Sequence, residues 1–288
     1  MLGKILKYEF KASARLFLLM YAALLALAAI GAILSLVGGS FQTSFTGSLG
    51  TNVYSVVSGI TILLYVLGAT AMIVVTIVVI VMRFYKMLGS EGYLWFALPA
   101  SANQQILGKL ISAFAWTVAS CIVIVASIGL LTVGADYSAL AKQFSDSWNT
   151  AISQGFNPSV WLLWAVILML FSWLNGILMF YAAMAMGPNM IKSRLGGSVL
   201  AYFILYIAAQ VFGLIVLLAL AVPISMQAQS IGISLPATVG VNDLSSVAPA
   251  LDQLVETVAG VFSGMEIIPA AVFYFLTHRF LSRKLNLA

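Results

Sequence analysis

Apolar runs about as long as a bilayer is thick recur along the whole chain, and they leave it few folds to choose from. Inside lipid no water satisfies a backbone N–H or C=O, so each run must pair its own backbone and becomes a helix. Six such runs follow one another, at about 17–38, 55–82, 110–133, 159–187, 199–222 and 257–277. The second is rich in Val and Ile, poor helix formers in water. In lipid, where irregular backbone is not tolerated, that preference loses. The predicted fold class is therefore all-α: a polytopic integral membrane protein with six transmembrane helices, forming a single transmembrane domain over 1–288. A soluble globule is excluded, since only 7% of the residues are charged where about a quarter is usual.

The ends and connections carry the charge. Over residues 2–17, Leu2, Ile5, Leu6, Phe10 and Phe17 recur at helical spacing, while Lys4, Lys7, Lys11 and Arg15 make the opposite stripe. This predicts an N-terminal amphipathic interfacial helix on the membrane surface, leading into the first span. A secretory signal also begins basic and then apolar, but this basic part is too long and too amphipathic for one. Polar segments are read at about 39–53, 134–158 and 223–256. With six spans, both termini share a side with the loops 83–109 and 188–198. That side collects Lys4, Lys7, Lys11, Arg15, Arg83, Lys86, Lys109, Lys192, Arg194, Arg279, Arg283 and Lys284, against Lys142 alone on the other. Short loops rich in Lys and Arg stay in the cytoplasm, so both termini are expected there. The net charge of +5 flanks spans rather than lining one soluble face, and gives no indication of nucleic-acid binding.

Residues able to carry chemistry are few. Cys121 stands alone and His278 is the one histidine, so no disulfide framework, metal site or catalytic group is predicted. The phosphate-binding pattern G-x-x-x-x-G-K-[ST] is missing: Leu110 follows Gly108-Lys109, and no glycine stands at the required spacing before it. The chain is not expected to hydrolyse nucleotide. Glu266 is the ionisable group at mid-membrane depth, since its distance from His278 at about 1.5 Å per residue comes to roughly 18 Å. Pro269 just after it removes a backbone donor. Glu266 either lines a substrate path or is a structural acid reaching a wet vestibule. Asn175 and Gln210 are expected to hydrogen-bond to neighbouring helices, with Asn175 a second candidate for the path. Gly31, Gly59, Gly68, Gly129, Gly176 and the run 182–187 are expected to allow close helix contact.

The segment 83–109 stands apart. It mixes Arg83, Lys86, Glu91 and Lys109 with Tyr93, Trp95, Phe96 and Leu98, and Pro99 stops it. The apolar side chains are too many for a solvent loop and the charges too many for a span. Two readings are open: an interfacial hairpin with its aromatics at headgroup level, or a short helix whose apolar face docks into a partner's groove.

Here the chain resembles a known family. The amphipathic basic start, the six spans and Glu91-Gly92-Tyr93-Leu94-Trp95-Phe96-Ala97-Leu98-Pro99, with Ser101 and Lys109 beyond, look like the type-2 permease subunits of bacterial ABC exporters. Gly187 through Ser198 resembles that family's second cytoplasmic turn, and Arg283-Lys284-Leu285-Asn286-Leu287 its usual ending. Pro188 departs from the family's usual Gln, and Ala102-Asn103 from its basic residue after Ser101. The resemblance implies a permease of the bacterial plasma membrane. Its Glu91, Gly92, Tyr93, Leu94, Trp95, Phe96, Leu98 and Pro99 would form a coupling helix seated in a separate ABC ATPase subunit. That partner would bind ATP and Mg, leaving this chain without a cofactor or an enzymatic activity. A second permease copy, or a homologous permease, would complete the pair that exports substrate. Two other functions fit the residues: a non-transporting sensor or assembly scaffold, and an ion-coupled carrier, which the single intramembrane acid weakens.

Overall fold

A computed structural model describes residues 2–44, 48–88, 101–133, 137–191, 193–230 and 244–283. Seven α-helices account for most of them: α1 (Leu2–Ser44), α2 (Ser48–Leu88), α3 (Ala102–Leu131), α4 (Tyr137–Ser153), α5 (Pro158–Met186), α6 (Arg194–Ser230) and α7 (Leu244–Arg283). A short 3₁₀ turn, Gly187–Asn189, joins α5 toward α6. Six of these helices are long and apolar enough to cross a membrane, and α4 is the exception. The protein is thus an all-α, multi-pass membrane protein, with no strand among the described residues.

The helices outrun the spans read from hydropathy. α1 is one unbroken helix of 43 residues, so the stretch 2–17 forms its first turns rather than a separate surface helix. Nothing between Arg15 and Leu18 breaks a helix, and a change of polarity does not by itself end backbone pairing. The same reason extends α1 to Ser44, starts α2 at Ser48, and carries α6 past Pro223 to Ser230. The polar stretch 134–158 contains α4, where Phe144 and Trp148 pack one turn apart with ring centroids 5.8 Å from each other.

The chain divides into two compact units, Met1–Asp136 and Tyr137–Ala288. In the first, Phe17, Tyr21, Leu24 and Ala28 of α1 meet Tyr65 and Met72 of α2, with Trp116, Ala119 and Val123 of α3 packed against them. Trp116 stacks on Phe17 at 4.4 Å between ring centroids. Hydroxyls lie inside this unit: Tyr21 Oη is 2.9 Å from Ser120 Oγ, and Tyr65 Oη is 2.7 Å from Ser127 Oγ. Ser120 and Ser127 are two turns apart on α3, so one hydroxyl bond goes to α1 and the other to α2. Meanwhile Ile62, Leu63, Val66, Leu67, Val74 and Val78 of α2 face outward. Polar groups inside and aliphatics outside is the arrangement that lipid favours, because hydroxyls must find partners while aliphatics lose nothing by facing acyl chains.

In the second unit α5 packs along α7 and α6. The last turns of α5 are buried nearly all round, through Ile177, Leu178, Tyr181, Ala182, Ala183, Met184 and Ala185. The turn beyond depends on two glycines. A Cβ on Gly187 would stand 2.5 Å from the backbone nitrogen of Ser198, and one on Gly197 would stand 2.8 Å from the carbonyl carbon of Gly187. Close contact over 182–187 is therefore as expected. Gly68 also lies against Leu24 and Leu27, and Gly31 against Leu131. For Gly59, Gly129 and Gly176 the expectation fails, since a Cβ there would meet nothing within 4 Å.

Candidate functional site

The buried face of α1 advances in steps of four residues, through Ile5, Glu9, Ser13, Phe17 and Tyr21. Residues four apart stack along one side of a helix, so Glu9 is carried inward with its apolar neighbours and is only 2% exposed. An isolated buried carboxylate is very costly, and two cations meet this one. Lys109 Nζ donates to Glu9 Oε1 at 2.8 Å, and Arg83 Nη2 lies 2.8 Å from Glu9 Oε2. Arg83 Nη1 also donates to the Glu9 carbonyl oxygen at 3.0 Å, and Lys109 Nζ to the Arg83 carbonyl oxygen at 3.3 Å. Gly108 lets the helices approach this closely: a Cβ there would stand 3.0 Å from Ile5 Cγ2. Ser101 caps the start of α3 by accepting from the Gln104 N–H at 3.4 Å.

The three charges come from three helices. Glu9 belongs to the beginning of α1, Arg83 to the end of α2 and Lys109 to the beginning of α3. Around them Phe84 and Met87 of α2 and Ile106 of α3 are fully buried. The pieces 83–88 and 102–109 of the predicted cytoplasmic segment are thus helical and packed. The motif itself, Glu91, Gly92, Tyr93, Leu94, Trp95, Phe96, Leu98 and Pro99, lies outside the described residues.

A second acid sits in the other unit. Asn175 of α5 donates from Nδ2 to Glu266 Oε2 of α7 at 2.6 Å, so the two residues singled out for a substrate path are brought together. Asn175 Oδ1 is buried and has no hydrogen-bond partner. Pro269 cannot donate to the carbonyl of Met265, which leaves a further acceptor in the same turn of α7. A carboxylate and an amide oxygen from facing helices can together take a cationic or hydrogen-bond-donating group. Nearer the start of α5, Asp252 Oδ2 accepts from the Asn157 backbone N–H at 2.9 Å and from Asn157 Nδ2 at 3.1 Å. A negative charge there suits the N-terminus of α5.

Lys4, Lys7, Lys11 and Arg15 all lie on the exposed face of α1, opposite Glu9. Gln210, expected to bond across helices, is exposed on α6. Glu9 was missed by sequence reasoning, and Arg83 and Lys109 were read only as loop charges. The signal was present: Glu9 is the one acid on the apolar stripe of an otherwise basic amphipathic helix. Among the described residues no group of three or more His, Cys, Asp or Glu could hold a metal ion. The chain matches no protein-family model, no curated protein and no solved structure.

Proposed function

We propose that the chain is the membrane-spanning permease subunit of an ATP-driven exporter, with both termini in the bacterial cytoplasm, and that 83–109 couples it to a separate ATPase. The observation that carries this reading is the clamp of Glu9, Arg83 and Lys109. It ties the helix that enters 89–100, the helix that leaves it and the start of α1 into one body. A displacement of the aromatic segment would enter α2 and α3 and pass through the two ion pairs to α1, as rigid-body coupling requires. On this reading Tyr93, Leu94, Phe96 and Leu98 meet the ATPase, Glu91 opens a short helix and Pro99 stops it. The motif's resemblance to type-2 permeases supports the same assignment. Two permease copies would pair with two ATPase subunits, and Glu266 with Asn175 would contact substrate.

The test is the double substitution Tyr93→Ala with Phe96→Ala. Aromatic anchors at an interface are worth a few kcal/mol each, so ATPase recovered with the purified permease should fall at least about tenfold. Insertion and melting temperature should stay as in the parent protein. Full complex yield with substrate-responsive ATPase activity would overturn the coupling assignment. The Asn175–Glu266 acceptor pair favours one second reading, an ion-coupled carrier. Its transport in sealed vesicles would persist without ATP and follow an ion gradient.

A further inference from the structure

Beside the clamp, between α1 and α2, a recess of about 350 Å³ opens in the first unit. Its floor is apolar, built from Leu16 of α1 and from Val79 and Met82 of α2, and its other end carries Arg83, Lys86, Lys109 and Glu9. One carboxylate against three cations leaves an excess of two positive charges. Both Glu9 oxygens are already engaged, by Lys109 and by Arg83. Arg83 carries five N–H donors, of which its bonds to Glu9 use two. Lys86 is exposed, and no described acid pairs with it.

Leu16 and Met82 are 45% and 43% exposed, and the aliphatic surface continues from them along Leu19 on α1 and Val78 and Val74 on α2. One end of the recess therefore asks for an anion and the other opens onto the part of the protein that faces acyl chains. We propose that it binds an anionic phospholipid, with the phosphodiester between Arg83 and Lys86 and an acyl chain along Leu16, Val79 and Met82. A guanidinium suits a phosphate because its planar fork meets two oxygens at once, and the volume lies within the range of small-ligand sites. A choline headgroup would bring its own cation against Lys86 and is disfavoured. The site rests on the membrane architecture and on the clamp, and does not depend on the transport assignment.

Native mass spectrometry of the purified full-length protein, titrated with phosphatidylglycerol or phosphatidylcholine of identical chains, tests this. One phosphatidylglycerol should be retained at least about tenfold more tightly than phosphatidylcholine. Lys86→Gln leaves the clamp intact and should weaken that retention about fivefold, the factor for one basic residue near an anionic surface. Lys7→Gln, on the exposed stripe of α1, should leave it unchanged. Equal retention of the two lipids would overturn the proposal. So would equal losses from Lys7→Gln and Lys86→Gln, which would indicate diffuse surface attraction. Glycerophosphoglycerol, the same headgroup without chains, should compete poorly. If it displaces the lipid at equal concentration, the site takes a free phosphate ester and the apolar floor plays no part.

Discussion

Glu9 and Glu266 are the same residue type inside helices of the same membrane protein, and their surroundings treat them in opposite ways. Glu9 shares its charge with Arg83 and Lys109, each 2.8 Å away, so both oxygens are committed. Glu266 meets a neutral amide, Asn175 Nδ2, and the amide oxygen beside it is buried without a partner. A carboxylate bound by two cations has little left to offer a ligand, and removing it leaves positive charge uncompensated at a buried position. A carboxylate bound by one amide keeps some of its acceptor capacity. The first arrangement makes an anchor, and the second leaves the acceptor capacity that the proposed substrate contact needs. The units differ in a related way: charge ties the helices of the first together at the clamp, whereas backbone against backbone at Gly187 and Gly197 closes the α5–α6 turn of the second.

The largest expected effect tests the anchor. Glu9→Ala should lower unfolding stability in detergent by about 3–5 kcal/mol, because it removes the carboxylate that balances the buried Lys109 ammonium. Adding Lys109→Met should recover part of the loss, since the uncompensated charge is then gone. A Glu9→Ala protein that melts like its parent would remove the contrast between the two acids. Next comes Gly197→Ala, whose methyl would press into the Gly187 carbonyl rather than into a side chain able to move aside. Overpacking of this kind costs about 1–3 kcal/mol. Raising the salt concentration should not change that loss, because no charge is involved. The smallest effect on the fold is expected from Glu266→Gln, which retains an acceptor for Asn175 and should shift stability by less than about 1 kcal/mol. Transport or substrate-stimulated ATPase should nonetheless change. Silence across several candidate substrates would make Glu266 a structural acid and not a path residue.

Hydropathy was enough to find the six crossing helices, because in lipid an apolar run of sufficient length has one way to satisfy its backbone. It did not find where the helices end. Leaving the hydrocarbon changes the solvent without cancelling the backbone bonds, so α1 and α2 run on through residues that read as polar connection. α4 was not read from the sequence, where 134–158 stood as a polar connection, although structureless loops longer than about 12–15 residues are uncommon and Phe144 and Trp148 stand one turn apart. Glu9 was legible as an oddity, an acid in line with Ile5 and Phe17. Its partners were not, because Arg83 and Lys109 reach it from 74 and 100 residues away. Asn175 and Glu266 were each noticed, but their bond spans 91 residues and only the packing of α5 on α7 creates it.

The contact of Gly187 with Gly197 and Ser198 has a consequence for how this turn can vary through mutation. Where two side chains crowd each other, a change on one side can be absorbed by shrinking the other. Here both positions are already glycine, and although Ser198 Oγ also stands against Gly187, removing it would leave the Ser198 backbone nitrogen and Cα in place. A second-site suppressor would have to shift the backbone itself, and several neighbouring residues with it. The two positions should therefore drift as one, with the first step penalised whichever side takes it.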